Sequence, residues 1–201
     1  MNKYDYTVKF YTQDSDLKNI SYIINNYGIP NNIVEIGVYE GMTTCWIADN
    51  MCPHNKSMQI YAIDPHSTSI DLHTNLAEVG ERFKKNIAKS EFSENIHYIN
   101  STSREGLLDL YVDDIRPEFI YIDGDHTAST VMEDLVLSFM ILKPGGVILC
   151  DDSVDWQQPT DGVTACQMAP RMAVDNFIHC NWHKIKVLTL PESIQTAFMK
   201  L

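Results

Sequence analysis

FIYIDGDHTASTVMEDLVLSFMILKPGGVILCDDS, residues Phe119 to Ser153, is the stretch from which the rest of the chain is read. Phe119–Ile122 and Val147–Cys150 are short, continuous, β-branched and aromatic runs with strand character. Both run into acid: the first into Asp123-Gly124-Asp125-His126, the second into Asp151-Asp152. Between them, residues 128–142 carry helical spacing, with Val131, Leu135 and Leu142 beside Met132, Val136 and Phe139. Lys143-Pro144-Gly145-Gly146 stops the helix and turns the chain. A right-handed strand–helix–strand unit makes the two strands parallel and brings their carboxyl ends to one edge. In open α/β sheets, ligands bind at that edge.

Asp123, Asp125, Asp151 and Asp152 should therefore approach one another. At ~4 Å and an effective dielectric of ~20, each like-charged pair repels by about 4 kcal/mol. Either a cation sits among them or one holds a proton. The plainer alternative is that these acids cap the helices that follow and face solvent.

The chain has 201 residues, enough for one domain with a full core. No apolar run approaches the ~20 residues of a membrane helix. The first sixteen residues hold no apolar stretch of the kind a secretory leader needs, so none is expected. A formal net charge of −12, with no basic stripe, argues against nucleic acid and anionic membrane as partners. The five cysteines are scattered, odd in number and form no CxxC, which reads as reduced thiols in a cytoplasm. His179, Cys180 and His183 match no strong metal pattern.

Residues 1–14 read as a loose arm. Asp14 or Ser15 can cap a helix from Asp16 to Tyr27, which Gly28 and Pro30 end. Strands are expected at residues 33–36, 58–63 and 96–99, with helices at 42–51, within 67–89, and at 103–111. Residues 154–161 form a loop, and 162–179 are helical with a break at Pro170. Residues 183–190 and 193–201 are late strands, close enough in sequence for an antiparallel hairpin. The alternation defines an α/β fold, a single-domain doubly wound sheet.

Glu35-x-Gly37-x-x-x-Gly41 sits between a strand and a helix, where glycines allow a sharp turn and a close ligand approach. It is not GxxxxGK[ST], and it has only two of the three glycines of a dinucleotide fingerprint. Glu40 would also oppose a pyrophosphate. A positively charged nucleoside without phosphate fits better, and S-adenosylmethionine is one. Asp64, at the end of the second strand, can accept both ribose hydroxyls. The alternative is a tight turn that only starts a helix.

VEIGVYEGMTT, YAIDPH, INSTS, FIYIDGDH and LKPGGVILCDD, in this order, resemble the class I S-adenosylmethionine-dependent methyltransferases. More narrowly they resemble the small metal-dependent O-methyltransferases related to the macrocin and catechol enzymes. The resemblance spans roughly residues 33–201. It implies a Rossmann-like, seven-stranded, mostly parallel sheet with an antiparallel last strand. Residues 1–30 would be an N-terminal arm and helix, and 31–201 the methyltransferase domain. It further implies that Glu35, Gly37 and Gly41 line the methionine part of the cofactor, that Asp64 holds the ribose, and that Thr102 and Ser103 lie beside adenine. Asp123 borders the cofactor and, with Asp151 and Asp152, holds Mg²⁺ or another divalent cation. Arg104 stands where relatives often carry a different polar residue.

The implied function is O-methylation of a small hydroxylated molecule, sugar or phenol-like. Asp125 and His126 are the candidate bases; the catechol-type relatives carry a lysine where His126 stands. A metal-independent N-methyltransferase, a non-catalytic cofactor-binding module and a nicotinamide oxidoreductase are the rival readings. A homo-oligomer is compatible with all of them. Residues 154–170, with Trp156, Gln157, Gln158 and Met168, follow the acid pair directly and are expected to select the acceptor.

Overall fold

The computed structural model describes residues 3–7, 13–67, 75–153, 169–192 and 195–201. The chain runs α1 (Gln13–Tyr27), β1 (Asn32–Ile36), α2 (Met42–Met51), β2 (Gln59–Ile63), α3 (Leu76–Ile87), a short 3₁₀ turn (Ser93–Asn95), β3 (Ile96–Ile99), α4 (Ser103–Val112), β4 (Phe119–Ile122), α5 (Ala128–Ile141), β5 (Val147–Cys150), α6 (Pro170–Asn181), β6 (Ile185–Leu188) and β7 (Thr196–Lys200). The seven strands form one sheet in the order β3-β2-β1-β4-β5-β7-β6. β1 to β5 pair in parallel. β7 runs antiparallel to both β5 and β6, so it is the reversed strand and closes the expected hairpin.

The central strands are apolar on both faces because helices cover both. On one face Ile33, Ile60, Phe119 and Val147 pack with Ile20 and Ile24 of α1, Ile47 and Ala48 of α2, and Phe83 of α3. On the other, Val34, Ile120 and Ile148 pack with Leu107 of α4, Leu135 of α5 and Val174 and Phe177 of α6. Phe83 is wholly buried, so its loss to alanine should cost about 3–5 kcal/mol.

Helix starts follow local chemistry. Thr102 caps α4: its hydroxyl accepts the Glu105 N–H while the Glu105 carboxylate accepts from the Thr102 backbone, a complete capping box. Pro170 occupies the first turn of α6, as expected. α1 begins three residues ahead of the expected Asp16, at Gln13. Of the helix expected within 67–89, α3 fills Leu76–Ile87; residues 68–74 lie outside the described residues. So does the expected acceptor segment at 154–168, including Trp156, Gln157, Gln158 and Met168.

The loose arm is corrected where it is described. Residues 3–7 are tied to the domain by a polar network. Lys3 and the Tyr4 hydroxyl meet Asp49 at 2.8 and 2.7 Å, and Asn86 exchanges two hydrogen bonds with the Asp5 backbone. The Thr7 backbone N–H and hydroxyl donate to the two Glu40 carboxylate oxygens at 2.7 and 2.6 Å, and Arg82 Nε lies 2.9 Å from the same carboxylate. Glu40 is 2 % exposed. A buried carboxylate without such donors would cost several kcal/mol, so Glu40 holds the arm against the first loop.

Candidate active site at the carboxyl edge of the sheet

The edge is built by extending the strand ladder one residue past each strand. The N–H of Gly37 donates to the Ile63 carbonyl (2.9 Å), Asp64 to Ile99 (3.2 Å), Asp123 to Ile36 (2.8 Å) and Asp151 to Ile122 (2.9 Å). Backbone pairing thus sets a glycine and three acids in a row along one edge.

Gly37 lies at φ +80°, and a β-carbon there would fall 2.0 Å from the Asp123 carbonyl oxygen. The glycine is needed so that the β1 loop can lie against the end of β4. Gly41, at φ +81°, would place a β-carbon 2.7 Å from the Phe83 ring. It precedes α2 with no side-chain cap on the helix amides.

Glu35 faces inward from β1 and is 1 % exposed; the Thr44 hydroxyl donates to it at 2.6 Å. Burial pushes its carboxyl up to about 8, the Thr44 hydrogen bond opposes this, and the Asp64 charge adds to it. Glu35 is therefore largely protonated at neutral pH.

Asp64 organises the first loop. Oδ2 accepts the Val38 and Tyr39 N–H groups at 3.0 and 3.1 Å, and Oδ1 accepts the His66 N–H at 2.8 Å. Three of about four lone-pair sites are engaged, so a ribose diol would have to share these oxygens. His66 Nε2 lies 2.7 Å from the Tyr39 carbonyl, to which it donates, and Nδ1 lies 2.7 Å from the Tyr98 hydroxyl. Tyr39 at φ 47° and His66 at φ 45° hold left-handed backbone to allow this. Beside them a cleft of about 220 Å³ is lined by Thr7, Tyr39, Glu40, Asn75, Val79 and Arg82.

Asp123, His126 and Asp152 form the acid cluster: one donor atom from each lies within 4.8 Å of the others. His126 Nε2 is 3.0 Å from Asp152 Oδ2. Of the four aspartates, Asp123, Asp125 and Asp151 border one small hollow, while Asp152 joins Asp123 and His126 in the tighter group. Asp125 is exposed and its Oδ1 accepts the Thr127 N–H at 2.8 Å, at the entrance to α5. Asp151 is outside the cluster. Its Oδ2 accepts the Tyr121 hydroxyl at 2.8 Å and its Oδ1 the Gln195 amide at 2.9 Å. Burial and the neighbouring Asp152 charge raise the Asp151 carboxyl, and these two donors lower it. Asp152 adopts φ 48°, so the consecutive acids follow different backbone directions. A hollow of about 10 Å³, the size of one water, lies between Asp123, Asp125, His126, Asp151 and Pro170.

Thr102 spends its side chain on the capping box, and Ser103 opens α4 next to it. Arg104 pairs with Glu133 of α5 at 3.2 Å. Asp134, one residue on, is buried, and neither of its side-chain oxygens has a hydrogen-bond partner among the described residues. Burial pushes its carboxyl up to about 7; the nearby Ser103 hydroxyl lowers it, and the charges of Glu133 and Asp125 raise it.

The reading of the sequence missed Gln195 and Asn19. Asn19 of α1 donates to the Gln195 side chain at 2.8 Å, and Gln195 carries the chain on to Asp151. Nothing in the local pattern around either residue marks this.

Sheet order, strand-end acids and glycine loop together define the class I S-adenosylmethionine-dependent methyltransferase fold. The chain belongs to the methyltransferase-domain family, whose model matches residues 34–153. It is similar to uncharacterized protein R132 of Acanthamoeba polyphaga mimivirus, 28 % identical over 127 residues, 62 % of this chain. The matched segment spans about half, 52 %, of that protein's length. Among solved structures it is similar to an O-methyltransferase from Bacillus cereus in complex with S-adenosylhomocysteine (TM-score 0.69, 17 % identity, 98 % of this chain and 84 % of that one). It is also similar to CalS11, a TDP-rhamnose 3′-O-methyltransferase of calicheamicin biosynthesis (TM-score 0.63, 15 % identity, 95 % and 80 %). Identities this low speak for the fold alone. No helix among the described residues is long and apolar enough to cross a membrane.

Proposed function

We propose that this protein transfers a methyl group from S-adenosylmethionine to a hydroxyl of a small molecule, sugar or phenol-like, with a divalent cation at the acid cluster. The observation that carries the reading is the row at the sheet edge. It sets the glycine loop, Asp64 and the Asp123–His126–Asp152 cluster side by side. The names of two structural neighbours as O-methyltransferases support the choice of a hydroxyl acceptor.

The residues fit both absent groups. Gly37 and Gly41 let the first loop turn tightly against the end of β4 and the Phe83 ring, and Asp64 is fixed at its rim by three backbone N–H groups. Asp123, His126 and Asp152 offer two carboxylates and an imidazole at coordinating spacing. The cofactor supplies an electrophilic methyl carried on a sulfonium. A divalent cation would lower the acceptor hydroxyl's pKa and orient it. Asp125, exposed beside the cluster, takes the proton from the acceptor oxygen as that oxygen bonds the methyl carbon and the methyl–sulfur bond breaks, leaving the neutral thioether S-adenosylhomocysteine. Tyr121 and Gln195 hold Asp151 still at the back of the cluster.

The test is transfer of labelled methyl to a panel of hydroxylated and amine acceptors, with and without chelator. O-methylated product that disappears in chelator supports the reading. Asp125→Asn should lower turnover by about 10²–10⁴ while S-adenosylhomocysteine binding stays intact. Product confined to amines, or turnover indifferent to chelator, would overturn the O-specific or the metal-dependent part respectively.

A further inference from the structure

The donors of the acid cluster are not all oxygen, and this bears on which ion the site takes. We infer that His126 is itself a metal ligand through Nε2, completing with Asp123 and Asp152 a nitrogen–oxygen site that prefers a first-row transition cation such as Mn²⁺ to Mg²⁺. The inference rests on the divalent-cation reading above and assigns its ligands.

His126 Nε2 and Asp152 Oδ2 are 3.0 Å apart, and one Asp123 oxygen lies within 4.8 Å of both. An octahedral ion with bonds of ~2.1 Å places adjacent donors about 3 Å from each other and opposite donors about 4.2 Å apart. His126 and Asp152 have the spacing of adjacent donors in one coordination sphere, and the Asp123 oxygen stands within 4.8 Å, close enough to join them by a small side-chain adjustment. The three residues come from two neighbouring loops at the edge: Asp123 and His126 from the one between β4 and α5, and Asp152 from the one after β5.

Chemistry then selects the ion. Mg²⁺ dehydrates reluctantly and is bound through carboxylates and water, whereas imidazole suits the later divalent metals, with Mn²⁺ accepting both donor types. Replacing one oxygen ligand by an imidazole therefore shifts preference away from Mg²⁺. Asp151 spends one lone pair of each oxygen on Tyr121 and Gln195, and it is not among the three residues whose donor atoms lie together. With Nε2 on the ion, His126 has no lone pair left for proton abstraction, and the base is Asp125.

The metal-stripped full-length protein would be loaded with Mn²⁺ and examined by pulsed electron paramagnetic resonance. Mn²⁺ and Mg²⁺ affinities would be measured by calorimetry for the wild type and for His126→Ala, and folding of the variant checked by its melting curve. The expected result is a directly bonded nitrogen coupling in the wild type that vanishes in His126→Ala. Mn²⁺ affinity should fall about tenfold or more in the variant and Mg²⁺ affinity much less. Absence of nitrogen coupling in the wild type, its persistence in the variant, equal losses for the two ions, or no Mn²⁺ binding at all would each overturn the inference. S-adenosylhomocysteine binding, measured alongside, separates the two claims. Nitrogen-bound Mn²⁺ without nucleoside binding would sink the proposed reaction and leave the ligand assignment standing.

Discussion

Glu35→Gln tests the energetics of the site floor. In the folded protein Glu35 is wholly buried and its carboxyl is pushed from 4.5 up to about 8. The unfolded chain ionises near the lower value, so between the two the folded state holds a proton that the unfolded state has released. Stability from this group is therefore present below the unfolded value and is lost as pH rises toward the folded one. Between about pH 5 and about pH 8.5 the loss is roughly 4 kcal/mol. Glutamine keeps an oxygen for the Thr44 hydroxyl and has no proton to lose. The difference in stability, variant minus wild type, should be small at pH 5 and rise by that amount at pH 8.5. Asp134, which titrates in the same direction, cancels in this difference. The assay is urea denaturation at several pH values, with the slope on denaturant held constant between the two proteins. Curves that stay parallel across the range would refute the assignment of a buried, proton-bearing Glu35.

Three further outcomes are expected. Gly37→Ala should destabilise by at least about 2 kcal/mol in denaturant titration, because its β-carbon would fall 2.0 Å from the Asp123 carbonyl at a positive φ; a change under about 0.5 kcal/mol would contradict the close approach. Gln195→Leu strips Asp151 and Asn19 of a shared partner and should cost about 1–3 kcal/mol in the same assay, while an unchanged midpoint would mean the Asn19–Gln195–Asp151 chain does not form. Arg82→Met leaves buried Glu40 with Thr7 as its side-chain and backbone donor, and should both lower the melting temperature and speed proteolysis within residues 1–7; an arm as resistant as the wild type's would separate it from Glu40.

Much of the fold was legible because the central strands are continuous apolar runs ended by acid or glycine. Phe119–Ile122, Val147–Cys150 and the helix Met42–Met51 occur at the residues expected. The reversed last strand was legible from the short span between the two late strands. Strand ends also brought Asp64, Asp123 and Asp151 to one edge, since parallel pairing leaves them no other place. Side-chain partnership was not legible. Asp151 and Asp152 are neighbours in sequence, yet one turns to Gln195, 44 residues on, and the other to His126. That divergence follows from a left-handed backbone at Asp152, which the letters DD do not encode. The arm was misread for a similar reason: its partners Glu40, Arg82 and Asn86 lie on a loop and a helix far along the chain, and its own composition is merely polar and aromatic.

The most direct test of the account is calorimetric titration of the protein with S-adenosylhomocysteine and, separately, with NAD. The account predicts saturable binding of the first at one site per chain and none of the second. It also predicts a loss of about 2–4 kcal/mol in Asp64→Ala, the charged acceptor at the loop's rim. Binding of NAD in place of the nucleoside thioether, or an Asp64→Ala protein that binds S-adenosylhomocysteine as tightly as the wild type, would contradict it.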